Sequence, residues 1–228
     1  MKIEYGNGNY LEWHIRDCVA GMQEMEAKSV DMILTDIPYN ISQKSGGLRK
    51  LDYGEWDRQK GMEAVWIAEM ERLVKGTIIV FCDKTQVSDL LKYLDSKKFI
   101  TRVLIWHKPN PTVLNCNRIP VEATELAVYG KRPGATWNSK YCHNVFKYTA
   151  PTDRLHQTQK PDNLFKKLIL LCSNTGDIVF DPFLGSGTTL RACRMTDRNG
   201  KGFEINQEYG KFIEKRIWVK DTSIEQWF

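Results

Sequence analysis

The stretch from Ile178 to Thr189 constrains this chain more than any other. An apolar run, Ile178-Val179-Phe180, meets an acid, Asp181, and then Pro182-Phe183-Leu184-Gly185-Ser186-Gly187-Thr188-Thr189. That order predicts a buried strand, a tight glycine turn and the start of a helix. Glycines in such a turn let the backbone approach a ligand closely, and the helix N-terminus offers unpaired N–H groups to an anion. Glu204 closes the next apolar run, where a carboxylate can accept hydrogen bonds from ribose hydroxyls. Together these features read as a nucleoside-binding βαβ unit, although a plain tight turn satisfies the Gly-x-Gly on its own.

The same stretch excludes two large ligand classes. A dinucleotide fingerprint needs a third glycine where Leu190 stands, and a P-loop needs Gly-Lys-Ser/Thr where Gly187-Thr188-Thr189 stands. Both failures point away from NAD and ATP. S-adenosylmethionine is left, with its methionine carboxylate and amino group at the turn and its ribose at Glu204.

Apolar runs at 30–35, 77–81, 100–106, 126–129, 177–181 and 200–204 alternate with helical patterns at 64–75, 87–94, 163–172, 188–195 and 207–215. Alternation of this kind argues for an α/β fold with a mainly parallel sheet and one domain over 1–228. Two long stretches, 41–58 and 131–160, fit neither pattern. Long structureless loops in a compact domain are usually functional or disordered. Both are expected to face substrate, the first as an active-site loop and 131–155 as a short target-recognition insertion.

Composition narrows the setting. No run approaches the ~18 apolar residues of a membrane span, and the N-terminus lacks a signal-peptide core. Six scattered cysteines, with no Cys-x-x-Cys pair and no histidine at zinc spacing, predict reduced thiols, a cytoplasmic location and no metal. The formal charge is +5, which permits a polyanionic partner without demanding one. Basic residues gather between Arg102 and Lys167, among them Lys131, Arg132, Lys140 and Lys147, with Trp106, Trp137, Tyr141, Phe146 and Tyr148 interleaved. A solvated basic face is the plain alternative.

A second motif, Thr35-Asp36-Ile37-Pro38-Tyr39-Asn40, ends the first clear strand run, where open α/β sheets bind ligands. The two motifs together resemble the amino-methyltransferases of DNA, which methylate exocyclic amines of adenine or cytosine. In that family an Asp/Asn/Ser-Pro-Pro-Tyr/Phe tetrad is catalytic, and an Asp-Pro-Phe-x-Gly-Ser-Gly-Thr-Thr segment binds the cofactor. The tetrad precedes the cofactor segment here, as in the circularly permuted β group. His156-Gln157-Thr158-Gln159-Lys160-Pro161 is similar to that group's His-Pro-Thr-Gln-Lys-Pro, and Arg16-Asp17-Cys18 to its Gly-Asp-Cys. Trp106-His107-Lys108-Pro109-Asn110 and Thr124-Glu125-Leu126-Ala127-Val128-Tyr129 resemble the strands framing the target pocket. The resemblance spans nearly the whole chain.

It implies a Rossmann-like methyltransferase fold with a seven-stranded, mainly parallel sheet and helices on both faces. It also implies S-adenosylmethionine bound through Asp17, Cys18, Thr158, Lys160, Asp181, Phe183, Gly185, Ser186, Gly187, Thr188 and Glu204. Thr158 and Lys160 are expected near the methionine end. An exocyclic amine is a poor nucleophile because its lone pair is delocalised into the ring. Acceptors on its two hydrogens return that pair to nitrogen: by resemblance, the Asp36 side chain and the Ile37 carbonyl. Tyr39 is expected to stack on a base taken out of the duplex or presented in a single strand. Ile37 departs from the family's proline, but the carbonyl is main chain, and Pro38 still holds residue 37 extended.

Asp36 favours adenine N6, since cytosine-N4 enzymes of the group usually carry Ser there. Cytosine N4 is the nearest alternative, and an RNA or protein-glutamine methyltransferase usually has an Asn-led tetrad. A non-catalytic DNA-binding relative is the reading from a different class. Lys131, Arg132, Lys140 and Lys147 are expected on DNA phosphates. With little chain between Tyr129 and His156 for target recognition, and none after Trp227-Phe228, specificity is expected to be short, relaxed or shared across a homodimer.

Overall fold

The computed structural model describes residues 1–6, 8–39, 63–113, 116–152 and 159–218. The expected active-site loop at 41–58, and Thr158 of the cofactor set, lie outside the described residues. In chain order the elements are β1 (Lys2–Tyr5), β2 (Asn9–Ile15), α1 (Cys18–Gln23), β3 (Val30–Asp36), α2 (Glu63–Leu73), β4 (Val74–Cys82), α3 (Val87–Ser96), β5 (Ile100–His107), β6 (Thr124–Lys131) and β7 (Val145–Lys147). They continue with α4 (Asp162–Cys172), β8 (Ile178–Asp181), α5 (Thr188–Met195), β9 (Asn199–Glu204) and α6 (Gln207–Ile217).

One sheet organises them, in the order β1-β2-β9-β8-β3-β4-β6-β5-β7. The sheet is mixed: β1 and β6 run against the other strands. The resemblance implied seven strands, whereas the described residues form nine. The sequence patterns passed over β1, β2, α1 and β7. The three residues of β7 are too few to show a period, and β1 is a four-residue edge strand. In β2 the inward positions are Asn9, Leu11 and Trp13, of which only two are apolar, so the alternation is faint.

Helices cover both faces, which is why the central strands read as unbroken apolar runs. Strand β4 shows the division. Ile78, Val80 and Cys82 pack with Met22 of α1, Trp66 and Met70 of α2 and Leu90 and Leu94 of α3. Ile79 and Phe81 point the other way, into Leu164, Phe165 and Leu168 of α4 and Leu190 and Ile213 from α5 and α6. Each such buried side chain contributes roughly 1.5–3 kcal/mol, so the two half-cores hold the strand ends firmly. No helix among the described residues is long and apolar enough to cross a membrane.

The topology decides what reaches the functional edge. β2, β9, β8, β3 and β4 are mutually parallel and bring Ile15, Glu204, Asp181, Asp36 and Cys82 to one rim. Strand β6 enters that rim by its beginning, since Thr124 pairs with His107 and Leu126 with Cys82. Part of the 131–155 stretch belongs to the domain itself. β7 pairs with β5 from Ile105↔Val145 to His107↔Lys147, and Asn138 is tied to the end of α4 through the carbonyls of Leu170, at 3.1 Å, and Ser173, at 2.8 Å.

Candidate active site

The glycine turn is built around two buried carboxylates. Asp181, 3% exposed, ends β8 and accepts hydrogen bonds from the Thr35 hydroxyl at 2.6 Å, the Phe183 N–H at 3.0 Å and the Thr189 hydroxyl. Burial nevertheless pushes its carboxyl up to about 6. Its bonds fold Pro182-Phe183-Leu184 back over the strand end. Gly202 of β9 lies beneath that fold, and a Cβ there would come within 2.4 Å of the Asp181 carbonyl. Gly187 then turns the chain into α5 with φ of +82°, a left-handed conformation that favours glycine.

Glu204 ends β9 opposite this turn. Its carboxylate accepts the Gly185 N–H at 2.7 Å and the Asn206 N–H at 2.8 Å, and burial raises it to about 7. The Arg16 N–H bonds the Glu204 carbonyl at 2.9 Å, which sets Asp17 and Cys18 beside it. Asp17 caps α1 through the Ala20 N–H at 2.9 Å. Cys18 is buried, and burial pushes its thiol up to about 12, so it lines the site as a small apolar group. Phe183 packs edge-on against Trp66, with ring centroids 4.9 Å apart. Ser186 and Thr188 turn inward instead: both hydroxyls bond the guanidinium of Arg216, at 2.8 Å for Thr188. Arg216 continues to Asp162 at 2.5 Å.

Asp36 closes β3, the strand next to β8. The backbone of the tetrad is pinned on both sides of the Ile37 carbonyl. The Ile37 N–H donates to the Phe81 carbonyl at 3.1 Å, and the Gln86 amide donates to the Pro38 carbonyl at 2.9 Å. The Tyr39 hydroxyl donates to Asp36 Oδ1 at 2.7 Å. Lys160 Nζ donates to Asp36 Oδ2, lies 3.1 Å from Glu125 Oε2 and 3.2 Å from the Tyr39 hydroxyl, and is 3% exposed. Lys108 reaches the other oxygen of Glu125 at 3.3 Å.

Charge in this cluster is mutually sustained. Burial pushes the Asp36 carboxyl above its ordinary value, against the pull of the Lys160 ammonium. Burial also opposes the charge on Lys160, but Asp36 and Glu125 outweigh it and hold the ammonium above its usual range. For Glu125 the two lysines likewise overcome burial and keep the carboxyl low. The Tyr39 phenol is pushed well up by burial and by Asp36.

The structure thus brings together Asp17, Cys18, Asp181, Phe183, Gly185, Gly187 and Glu204 on one stretch of the rim, and Asp36, Ile37, Pro38 and Tyr39 directly beside it. Lys160, expected at the methionine end, has its ammonium on Asp36. The basic residues separate. Lys147 is exposed at the end of β7, level with His107 on the rim. Lys140 is exposed on the loop before β7.

Lys131 and Arg132 lie at the opposite end of the sheet, because β6 is antiparallel. Lys131 pairs with Thr77 and Ile100, whereas Asp36 pairs with Phe81, roughly 13 Å further along at the rise of a strand. Arg132 is taken up by Glu71 and lies over the Phe99 ring, 4.5 Å from its centroid. Glu125, Lys108, Gln86 and Arg216 were not singled out from the sequence as site residues. The first two sit in segments quoted for their resemblance, at strand ends. Gln86 and Arg216 carry no local signal. Among the described residues no group of three or more His, Cys, Asp or Glu side chains could hold a metal ion.

Comparisons with known proteins agree with this arrangement. The type II methyltransferase M.HpaI of Haemophilus parainfluenzae is 28% identical over 238 residues, covering 88% of this chain and 72% of that protein. M2.DpnII of Streptococcus pneumoniae, also a type II methyltransferase, is 27% identical and covers 98% of this chain and 95% of its own. The crystal structure of M1.HpyAVI in complex with SAM superimposes with a TM-score of 0.71 at 28% identity, covering 90% of this chain and 99% of that one. A family model described as DNA methylase matches residues 30–215, the span that runs from the strand bearing Asp36 to the helix behind the glycine turn. With both motifs inside the match and the sheet order joining them at one rim, the chain belongs to the DNA methylase family of N6/N4 methyltransferases.

Proposed function

We propose that this DNA methylase transfers a methyl group from S-adenosylmethionine to the exocyclic N6 amine of adenine, in a base turned out of the duplex or presented in a single strand. The observation that carries the reading is the placement of Asp36 and the glycine turn at the carboxyl ends of the adjacent strands β3 and β8. An amine acceptor and a nucleoside turn on neighbouring strands meet the need for reacting groups aligned within ~3–3.5 Å.

The residues present fit the cofactor. Glu204 offers a buried carboxylate to a ribose, Gly185 and Gly187 allow close approach of backbone, and Asp17, Cys18 and Phe183 frame the flank. Bound S-adenosylmethionine supplies a methyl group on a sulfonium that leaves as a neutral thioether. The chain's own residues prepare the acceptor. Asp36 accepts a hydrogen bond from the target amine, the Ile37 carbonyl takes its other hydrogen, and nitrogen recovers its lone pair. Asp36 is then placed to take the proton the amine loses. Tyr39 stacks on the base, and Lys147, level with His107 on the rim, meets a phosphate near the cleft. The type II relatives support a modification role beside a restriction partner.

The test is label transfer from tritiated S-adenosylmethionine to DNA, RNA and protein in parallel, followed by nucleoside analysis of the DNA. N6-methyladenine is the expected product. N4-methylcytosine alone would replace the adenine reading. DNA binding without any transfer would leave a non-catalytic relative.

A further inference from the structure

Each oxygen of the Asp36 carboxylate accepts a hydrogen bond in this structure, and from the chain itself. Its Oδ1 accepts the Tyr39 hydroxyl at 2.7 Å and its Oδ2 accepts the Lys160 ammonium. The ammonium is held as a substrate nitrogen would be. It donates to the same carboxylate and sits against the same aromatic residue, with the Tyr39 and Phe81 ring centroids at 5.3 and 5.5 Å. Its third contact is Glu125 Oε2 at 3.1 Å, and Glu125 is fixed from behind by Lys108 at 3.3 Å.

We propose that Lys160 is a built-in occupant of the target-amine position, and that Glu125 is the second seat to which it withdraws when the base arrives. The inference rests on Asp36 being the amine acceptor. Both oxygens of Asp36 already accept a hydrogen bond, so an amine that takes the place of Lys160 on Oδ2 binds by exchange. A buried ammonium that lost its only partner would be strongly unfavourable. Glu125 removes that obstacle, because Lys160 keeps a carboxylate throughout. Until the exchange, the ammonium pulls Asp36 toward its ionised form against burial, and an ionised carboxylate is the form that accepts a hydrogen bond. Lys160 and Glu125 are therefore positioning residues. They act through Asp36, and they favour a ligand whose nitrogen can donate to it over one that cannot.

Three variants test this: Glu125→Gln, which removes the second seat at nearly constant shape, Glu125→Asp, and Lys160→Met. Glu125→Gln is expected to lower kcat at least tenfold while cofactor affinity by calorimetry stays within twofold. Glu125→Asp should recover part of that loss. Lys160→Met removes both the occupant and the counter-charge. It should move the ascending limb of the kcat–pH profile to higher pH, since Asp36 is then protonated more readily. It should also narrow the difference in affinity between an oligonucleotide with the target adenine and the same strand with purine, which lacks the amine.

A merely structural pair would lower folding stability and cofactor affinity together and leave the pH limb in place, and that result would overturn the proposal. So would a Glu125→Gln enzyme with native kcat and KM. These failures are distinguishable from failure of the reading beneath them. If either of those results appears while the wild-type chain methylates DNA and Asp36→Asn does not, the acceptor assignment stands and only the exchange falls. If Asp36→Asn keeps native turnover, both fall. Should Lys160→Met fold poorly, as judged by circular dichroism, the two Glu125 variants still decide the matter.

Discussion

Thr35 and Asp181, on neighbouring strands, are joined side chain to side chain by a 2.6 Å hydrogen bond, with Thr35 wholly buried and Asp181 nearly so. Thr35 is the residue before Asp36, and Asp181 folds the glycine turn. One buried contact thus sets the spacing between Asp36 and the glycine turn. Thr35→Val keeps the shape and leaves that oxygen of Asp181 with the Phe183 N–H as its remaining donor. We expect a loss of about 1–3 kcal/mol in urea denaturation, with weaker cofactor binding. Loss of cofactor affinity without loss of stability would show that the bond tunes the loop alone.

Asp36→Asn should separate binding from chemistry. Cofactor affinity is expected to hold, while transfer falls by roughly 10²–10⁴-fold, the range of a positioned proton acceptor. Calorimetry and single-turnover label transfer on the same preparation make the comparison.

Cofactor affinity should depend on pH through Glu204. Its carboxyl is raised to about 7 by burial, and ribose hydroxyls donate to the ionised form. Binding therefore favours loss of a proton and strengthens as pH rises through about 7, approaching tenfold per unit on the acid side. Stability runs the opposite way. A carboxyl raised on folding contributes most below its unfolded value, and that contribution is lost as pH climbs through about 7. Calorimetry between pH 6 and 8 in two buffers of different ionisation enthalpy reads the proton release. Glu204→Gln should abolish it.

DNA binding should distinguish the two ends of the sheet. Lys147→Ala, on the rim, is expected to weaken binding to all sequences alike and to lower the salt slope by about 1. Lys131→Ala, at the far end, should leave that slope unchanged. A fall with Lys131→Ala would mean that DNA wraps the molecule well beyond the rim.

Arg216 ties three segments together: Ser186 and Thr188 of the turn, Asp162 at the start of α4, and its own helix α6. Arg216→Met strips the turn of its backing. Asp162 is partly exposed and keeps Arg191 at 3.2 Å, so the loss is that of the hydrogen bonds to the turn, about 1–3 kcal/mol. The substitution should also weaken cofactor binding even though Arg216 lies behind the loop.

How much of this was legible depended on where the signal sits along the chain. The glycine turn, Glu204 and the tetrad are local patterns, and the strands that carry them are buried on both faces, so their runs stand out. The mixed direction of the sheet was not legible, because a strand's apolar run is the same read either way. That hid the fate of Lys131 and Arg132: their position follows from the direction of β6, which is set by its pairing with β4 and β5. Lys160 was found as part of a motif, yet its partner is Asp36, 124 residues away in the chain. Glu125 and Arg216 are likewise defined by long-range contacts, and β7 is too short to carry a pattern at all.

The reversed run of β6 also governs which part of the gene is free to vary. Because its first residues reach the rim, the chain enters β6 there, with the Lys108 N–H on the Ala123 carbonyl at 2.7 Å, while the segment that leaves Lys131 departs from the far end. Grafts or length changes between 116 and 123 would thus alter what the enzyme meets as DNA without disturbing the cofactor strands. Changes just after Lys131 would instead disturb Arg132 and its hold on Glu71, and trade stability for no gain in target choice.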